Sequence, residues 1–407
     1  MKIQNPLSNI SVALVQRSGR AVRLGAVIVG SVLTASCTSP PPVAPAAAPI
    51  ARWTQASFAE LPGWRDDDWR GVAVALTENC KGMAGKPPWP ELCRAFPASG
   101  SVAAQRAFVE SAFVPYRIER TDAEDAGLIT GYYEPVLRGS RIRSERYHVP
   151  LYQRPDDLLV VDLADLYPEL KGKRVRGRLV DTPSGRRVVP YFDRSQIVSG
   201  EASRATAPAT PLKPLVWVDD AIDAFFLQIQ GSGLIDLPDG SRMRVGYADQ
   251  NGRPFRGIGR LLVERGELTL EQASMQGIRA WLAAHPDRAS ALLDENPSYV
   301  FFREIDAQSA GPLGSLGVPL TATRSLAVDT RFVALGSAVW LVTTRPDDGA
   351  PLRRLMFAQD TGGAIRGVVR ADFYWGSGRE AGELAGRMRQ PAQMWVLWPR
   401  GSAPPGS

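Results

Sequence analysis

The stretch Asp360-Thr361-Gly362-Gly363-Ala364-Ile365-Arg366-Gly367, followed by Ala371-Asp372-Phe373-Tyr374-Trp375-Gly376, places two carboxylates in a run of glycines and aromatics. The chain has only two histidines, His148 and His285. Histidine is the usual proton carrier near neutral pH. An acid–base enzyme built from this sequence must therefore use a carboxylate whose surroundings keep it protonated. Glycine permits close backbone approach, and flat aromatic faces suit sugar rings. The stretch reads as a polysaccharide site, or as a tight turn between two strands with Asp as the turn residue.

Residues 1–36 carry Lys2, Arg17, Arg20 and Arg23 with no acidic residue, then an apolar run from Leu24 to Leu33 and Thr34-Ala35-Ser36 before Cys37. This is the layout of a secretory signal. The run is shorter than the roughly 20 apolar residues of a membrane span. Small residues directly before Cys37 resemble a bacterial lipoprotein signal, with Cys37 lipidated as the mature N-terminus. The alternative is an ordinary secretory signal in which Cys37 is incidental. Residues 37–51, rich in Pro and Ala, read as an extended tether. Thr38 after the cysteine points to the outer membrane of a Gram-negative bacterium, facing the periplasm.

Removing residues 1–36 takes the formal charge from +6 to 6 − 4 = +2. No basic run is interleaved with aromatics, so nucleic acid is not an expected partner. Cys80 and Cys93 flank the segment Lys86-Pro87-Pro88-Trp89-Pro90, and in an oxidising compartment this even pair reads as a disulfide. No CxxC, HExxH or His cluster is present, so neither a metal site nor a cofactor is expected.

What remains is longer than one core usually holds, which predicts two domains. Gly127 to Pro135 reads as a strand. Phe225 to Gly233 alternates like a strand ending in a turn, with Gln228 and Gln230 on one side of it. A helix is predicted from a Thr269–Gln272 capping box to the stop at Pro286. Ala338 to Thr343, Arg354 to Ala358 and Met394 to Trp398 are the clearest late strands.

Several stretches together resemble the membrane-bound lytic murein transglycosylase A (MltA) family. They are Gly131-Tyr132-Tyr133-Glu134-Pro135, Leu227-Gln228-Ile229-Gln230-Gly231-Ser232-Gly233, Gly317-Val318-Pro319-Leu320-Thr321, Arg324-Ser325-Leu326-Ala327-Val328-Asp329 and the block from Asp360 to Gly376. The last block resembles the "3D" domain, named for three aspartates, here Asp329, Asp360 and Asp372.

The resemblance implies a mainly β fold with peripheral helices. A double-psi β-barrel catalytic domain would use 52–135 and 300–407, and a β-rich domain spanning 136–299 would be inserted to form a substrate groove. It implies cleavage of peptidoglycan glycan strands, with Asp372 catalytic, Asp360 a second site aspartate and Thr130 a sugar contact. Tyr132, Tyr133, Gln228, Gln230, Ser232, Gly362, Gly363 and Tyr374 are the other expected substrate contacts.

A lytic transglycosylase adds no water. The MurNAc 6-hydroxyl closes on its own C1, so positioning replaces the second carboxylate of a glycosidase. Asp372 is expected to carry the proton, kept protonated by Phe373, Tyr374 and Trp375 or by repulsion from a charged Asp360. Asp329 is expected to hold a loop. Glu134, beside two tyrosines, is a candidate second acid, which would make the enzyme a hydrolase. A non-catalytic wall-binding lipoprotein is the remaining alternative.

Overall fold

The computed structural model describes residues 51–121, 127–170, 175–204, 211–306, 309–363 and 365–403. The expected signal, Cys37 and the tether up to residue 50 lie outside the described residues. Ala51, expected as the last tether residue, instead opens the first strand.

The N-terminal part holds β1 (Ala51–Gln55), α1 (Val72–Gly82), α2 (Trp89–Ala95), α3 (Val102–Ala112), β2 (Phe113–Arg120) and β3 (Gly127–Glu134). The middle begins with β4 (Val136–Ser140), β5 (Val149–Tyr152), β6 (Leu159–Val160), β7 (Arg176–Thr182) and β8 (Gly185–Pro190). It continues with α4 (Arg194–Val198), α5 (Glu201–Arg204), β9 (Pro214–Val218), α6 (Ala221–Gln230), β10 (Ser232–Asp236) and β11 (Arg242–Gln250). It ends with α7 (Ile258–Glu264), α8 (Met275–Ala284), α9 (Pro286–Asp294) and β12 (Val300–Ile305). The C-terminal part adds β13 (Ser325–Val328), β14 (Ala338–Thr344), β15 (Pro351–Asp360), β16 (Arg370–Ser377), α10 (Gly378–Arg387) and β17 (Arg389–Pro399). No described helix is long and apolar enough to cross a membrane.

Strands from both ends of the chain share one sheet, in the order β1-β2-β17-β14-β15-β13-β16-β3, and β3 also pairs with β17. The pairings from β17 through β14, β15, β13, β16 and β3 therefore return to β17. Each of these strands sends alternate residues to one core, among them Ile129, Leu326, Val339, Met356, Phe373 and Met394. The intervening residues Trp340, Phe357 and Trp395 face outward and are covered by α1–α3. Period-two alternation with both faces apolar is why β14, β15 and β17 stand out in the sequence.

The covering layer is locked by Arg324, which is fully buried. Its guanidinium grips both carboxylate oxygens of Asp67 at 2.7 Å each and donates to the Arg70 carbonyl. Such a two-pronged, charge-assisted pair is geometrically specific as well as strong. Cys80 of α1 and Cys93 of α2 form a disulfide, joining the first two helices of this layer.

The middle of the chain builds a second sheet, β12-β11-β10-β4-β9-β5, and a small third one, β6-β7-β8. Here the strand expected at Phe225–Gly233 is the helix α6 up to Gln230. Asp220 caps it by accepting from the Asp223 N–H, and Gly231 ends it with φ at 80°. That left-handed φ is natural for glycine at a helix end. Phe225 and Phe226 pack among α7, α8 and α9, whereas Ala224 and Leu227 pack under the sheet. Consecutive residues of α6 are buried on two sides while Ile229 is exposed, so the sequence loses the helical signature. The box between Thr269 and Gln272 does form, at 2.9 and 3.3 Å, but closes a turn; the helix starts later, capped by Ser274.

Candidate active site

β3 and β16 run parallel with Thr130 opposite Asp372 and Tyr132 opposite Tyr374. Their alternate neighbours Ile129, Ala371 and Phe373 face the core. Pleating therefore sends Thr130, Tyr132, Asp372 and Tyr374 to the other face of the sheet. The Tyr132 and Tyr374 rings lie 5.2 Å apart at 46°. Phe373 and Trp375, expected to shield Asp372, belong to the core on the opposite face. Only Tyr374 of that aromatic run shares its side.

Asp372 is held from two directions. Its Oδ1 accepts from the Thr130 hydroxyl and, at 2.5 Å, from Nη1 of Arg370. Nη2 of Arg370 donates to Thr130 Oγ1 at 2.8 Å, closing a triangle of three side chains. No bond from a described residue reaches Oδ2. Arg370 was missed in the sequence. Its signal was there: a residue two places before Asp372 on a strand lies on the same face.

Asp360 ends β15. The register between β13 and β15 slips by one residue, from Leu326 opposite Ala358 to Ala327 opposite Asp360. A slip of this kind re-aims a side chain. Asp360 Oδ1 accepts from the Ser315 N–H at 2.9 Å and the Ser315 hydroxyl at 2.8 Å. Burial raises its carboxyl above the ordinary aspartate value, although the bonds from Ser315 act in the other direction. The Tyr132 phenol is pushed well up, first by burial and then by the charge of Asp360. Its hydroxyl is enclosed with no partner in hydrogen-bond geometry among the described residues. Burial favours the protonated form of Asp360, and the Asp372 carboxylate rests against the Arg370 guanidinium.

The remaining expected residues separate. Gln228 is not on a strand; it sits in the interior on α6 and accepts from Arg194 Nη2 at 2.8 Å. Gln230, two residues on, points nearly the opposite way round the helix, and its Oε1 accepts from the Tyr133 N–H at 3.2 Å. Their expected common side does not exist in this fold. Tyr133 turns to the core side of β3 and lines a cavity of about 410 Å³ with residues of α6, α8 and α10. That cavity lies across β3 from Asp372. Gly131 has the same orientation: a Cβ there would stand 2.6 Å from Ala385 Cα, so glycine is what lets α10 rest on β3. Ser232 opens β10 opposite Gly246. Gly362 and Gly363 form the turn after β15, with open space around Gly363.

Asp329 holds a loop, accepting from the Arg331 guanidinium at 2.6 Å and the Gly367 N–H at 2.9 Å. Those bonds lower its carboxyl against the opposing effect of burial, the largest single influence. Glu134 is fully buried, paired with Arg244 at 2.8 Å and accepting from the Ser377 hydroxyl at 2.7 Å. A carboxylate tied on both oxygens is not available as a second acid. His148 is exposed, and His285 stacks on Trp281 at 4.3 Å.

Residues 128–303 match the MltA specific insert domain, and residues 324–398 match the 3D domain. Membrane-bound lytic murein transglycosylase A of Escherichia coli K12 is 33% identical over 290 residues, covering 69% of this chain and 68% of that protein. The chain belongs to the MltA family. Among solved MltA structures, one from Neisseria gonorrhoeae has a TM-score of 0.73 at 35% identity, over 88% of this chain and 97% of that one. The lytic transglycosylase LtgG of Burkholderia pseudomallei is 42% identical with a TM-score of 0.57, over 87% and 98%. Escherichia coli MltA with bound chitohexaose has a TM-score of 0.60 at 26% identity, over 80% and 90%. The motifs that suggested MltA in the sequence are therefore those of its family, and the fold is mainly β with helices, as in these neighbours.

Proposed function

We propose that this lytic transglycosylase cleaves the β-1,4 bond between MurNAc and GlcNAc of peptidoglycan, forming 1,6-anhydro-MurNAc with Asp372 as its single acid–base group. The observation that carries the reading is the Asp372 carboxylate, anchored through Oδ1 by Thr130 and Arg370 while Oδ2 has no bond from a described residue. Chitohexaose bound to the Escherichia coli relative supports a chain of β-1,4-linked amino sugars as the ligand class.

The step is written as follows. Oδ2 of protonated Asp372 gives its proton to the glycosidic oxygen as the C1–O bond breaks. The MurNAc 6-hydroxyl oxygen then bonds to C1 and returns its proton to Oδ2. Because the nucleophile belongs to the substrate, no carboxylate is needed to activate water. Asp360 supports the neighbouring face through Tyr132. Tyr132, Gly362 and Gly363 are the surfaces on which the sugars rest; Tyr374, expected among them, is buried and packs against Tyr132.

In this reading the ring β17-β14-β15-β13-β16-β3 is the double-psi barrel, built from 52–135 and 306–407; β12, expected with the barrel, pairs with β11, so the inserted groove domain runs over 136–305. Lipid on Cys37 tethers the enzyme to the periplasmic face of the outer membrane. The membrane-bound name of its relatives supports an envelope location.

The test is mass spectrometry of fragments released from purified sacculi by the soluble protein. Anhydro-muropeptides support the reading. Reducing ends would make the chain a hydrolase, and no release would leave only a wall-binding lipoprotein.

A further inference from the structure

We infer that Arg370 is a positioning residue for proton transfer, holding Asp372 so that Oδ2 alone exchanges the proton. The inference rests on Asp372 being the acid–base group of the proposed reaction. Three observations carry it. Arg370 precedes Asp372 by two residues on β16, so both side chains leave the same face. Nη1 reaches Asp372 Oδ1 at 2.5 Å and the Ala371 carbonyl at 2.6 Å, while Nη2 reaches Thr130 Oγ1 at 2.8 Å. The Arg370 and Asp372 side chains are only 16% and 21% exposed, so water screens the pair weakly.

The geometry has two consequences. A guanidinium fork fixes two partners at once, which the single ammonium of lysine does not do. With Oδ1 occupied by two donors, the proton that goes to the glycosidic oxygen leaves from Oδ2. As it leaves, the charge that develops on the carboxylate lies against a cation already in place, which is where preorganised electrostatics act. The 6-hydroxyl proton returns to the same oxygen, and the site is restored.

The groups that bear on Asp372 are few. From β3 come Thr130 and Tyr132, and from β16 Tyr374 and Arg370. Asp360 stands across β13. Arg389 of β17 lies in register beside Thr130. Arg370 is the cation among them in contact with the carboxylate. Its removal frees the carboxylate to turn, so the rate at saturation falls while substrate binding is kept.

The experiment measures kcat and KM for release of anhydro-muropeptides from sacculi by wild type, Arg370→Gln, Arg370→Lys and Asp372→Asn, with thermal midpoints to establish folding. Arg370→Gln is expected to lower kcat about 10²-fold, the order associated with a misplaced catalytic group, with KM little changed. Arg370→Lys is expected to recover only part of kcat, because one ammonium does not hold Asp372 and Thr130 as the fork does. A wild-type kcat in Arg370→Gln overturns the inference. So does a variant in which KM alone rises, which would make Arg370 a substrate contact. If Arg370→Gln does not fold, Arg370→Lys decides: a full wild-type kcat overturns the inference, a reduced kcat with unchanged KM supports it. Asp372→Asn separates the two layers. If that variant remains active, the reading of Asp372 itself fails; if it is inactive while the Arg370 variants behave as wild type, only the inference about Arg370 fails.

Discussion

Asp360 and Asp372 stand opposite the same residue, Ala327, one on each strand that flanks β13. Two strand spacings, about 10 Å, separate their backbones. The pair is therefore built as two sites: one carboxyl rests on Ser315, the other is held on a hydroxyl and a guanidinium.

Asp372→Asn keeps the shape of the side chain and removes the transferable proton. Turnover of sacculi should fall by roughly 10²–10⁴-fold, the range for one general acid–base group. Binding of a chitooligosaccharide, followed by calorimetry, should be largely retained. A variant with near-wild-type turnover would remove Asp372 from the reaction.

Asp360→Asn should stabilise the fold at neutral pH. Burial raises this carboxyl in the folded state above its ordinary value of 3.8, so ionisation is penalised in the fold and not in the unfolded chain. The penalty is fully present above the raised value and disappears as pH falls below 3.8, where both states are protonated. The thermal midpoint of the variant should therefore exceed wild type at pH 7 and converge on it in acid. Asparagine retains Oδ1 as the acceptor for Ser315, so the turn should survive. A constant difference at all pH values would show that ionisation is not the cause.

Glu134→Gln removes the charge opposite the buried Arg244, whose Nη1 also donates to the Ser309 carbonyl at 2.5 Å. Breaking one side of a buried pair typically destabilises by about 3–5 kcal/mol. Denaturant unfolding should register a loss of that order, with turnover of the folded fraction changed little. A dead but fully stable variant would restore Glu134 as a second acid.

Reduction of the Cys80–Cys93 bridge, or Cys80→Ala with Cys93→Ala, should lower stability by about 3 kcal/mol, as expected for a closed loop of this short length. The bridge joins α1 to α2 in the layer that covers Trp340 and Trp395. Unchanged unfolding after full reduction would mean that packing alone holds the layer.

Cys37→Ala should move the protein from the membrane fraction to the soluble periplasm, because a lipid on that residue is the expected anchor. A variant that fractionates with membranes as wild type does would place the anchor elsewhere.

The sequence by itself determined the family and the stretches from which the proposed site is built. The glycines and aspartates of the 360–376 block, the Gly-Tyr-Tyr-Glu-Pro run and the alternating late strands are local patterns, and local patterns survive in one dimension. It also singled out Cys80 and Cys93, because only two cysteines follow Cys37. Tertiary structure alone decided the rest. Thr130 meets Asp372 across 242 positions because β3 and β16 are neighbours in the sheet. Asp360 becomes the partly buried carboxyl because a one-residue slip turns it toward Ser315. Phe373 and Trp375 leave the site for the core because a pleated strand sends alternate residues to opposite faces. Residues 225–230 form a helix because Phe225, Phe226 and Leu227 pack into two different cores, while Gln228 is buried on Arg194 and Ile229 is exposed, so the apolar pattern does not follow the helical period. Motifs record which residues matter; which face, which partner and which protonation state each takes depends on contacts between residues far apart in the chain.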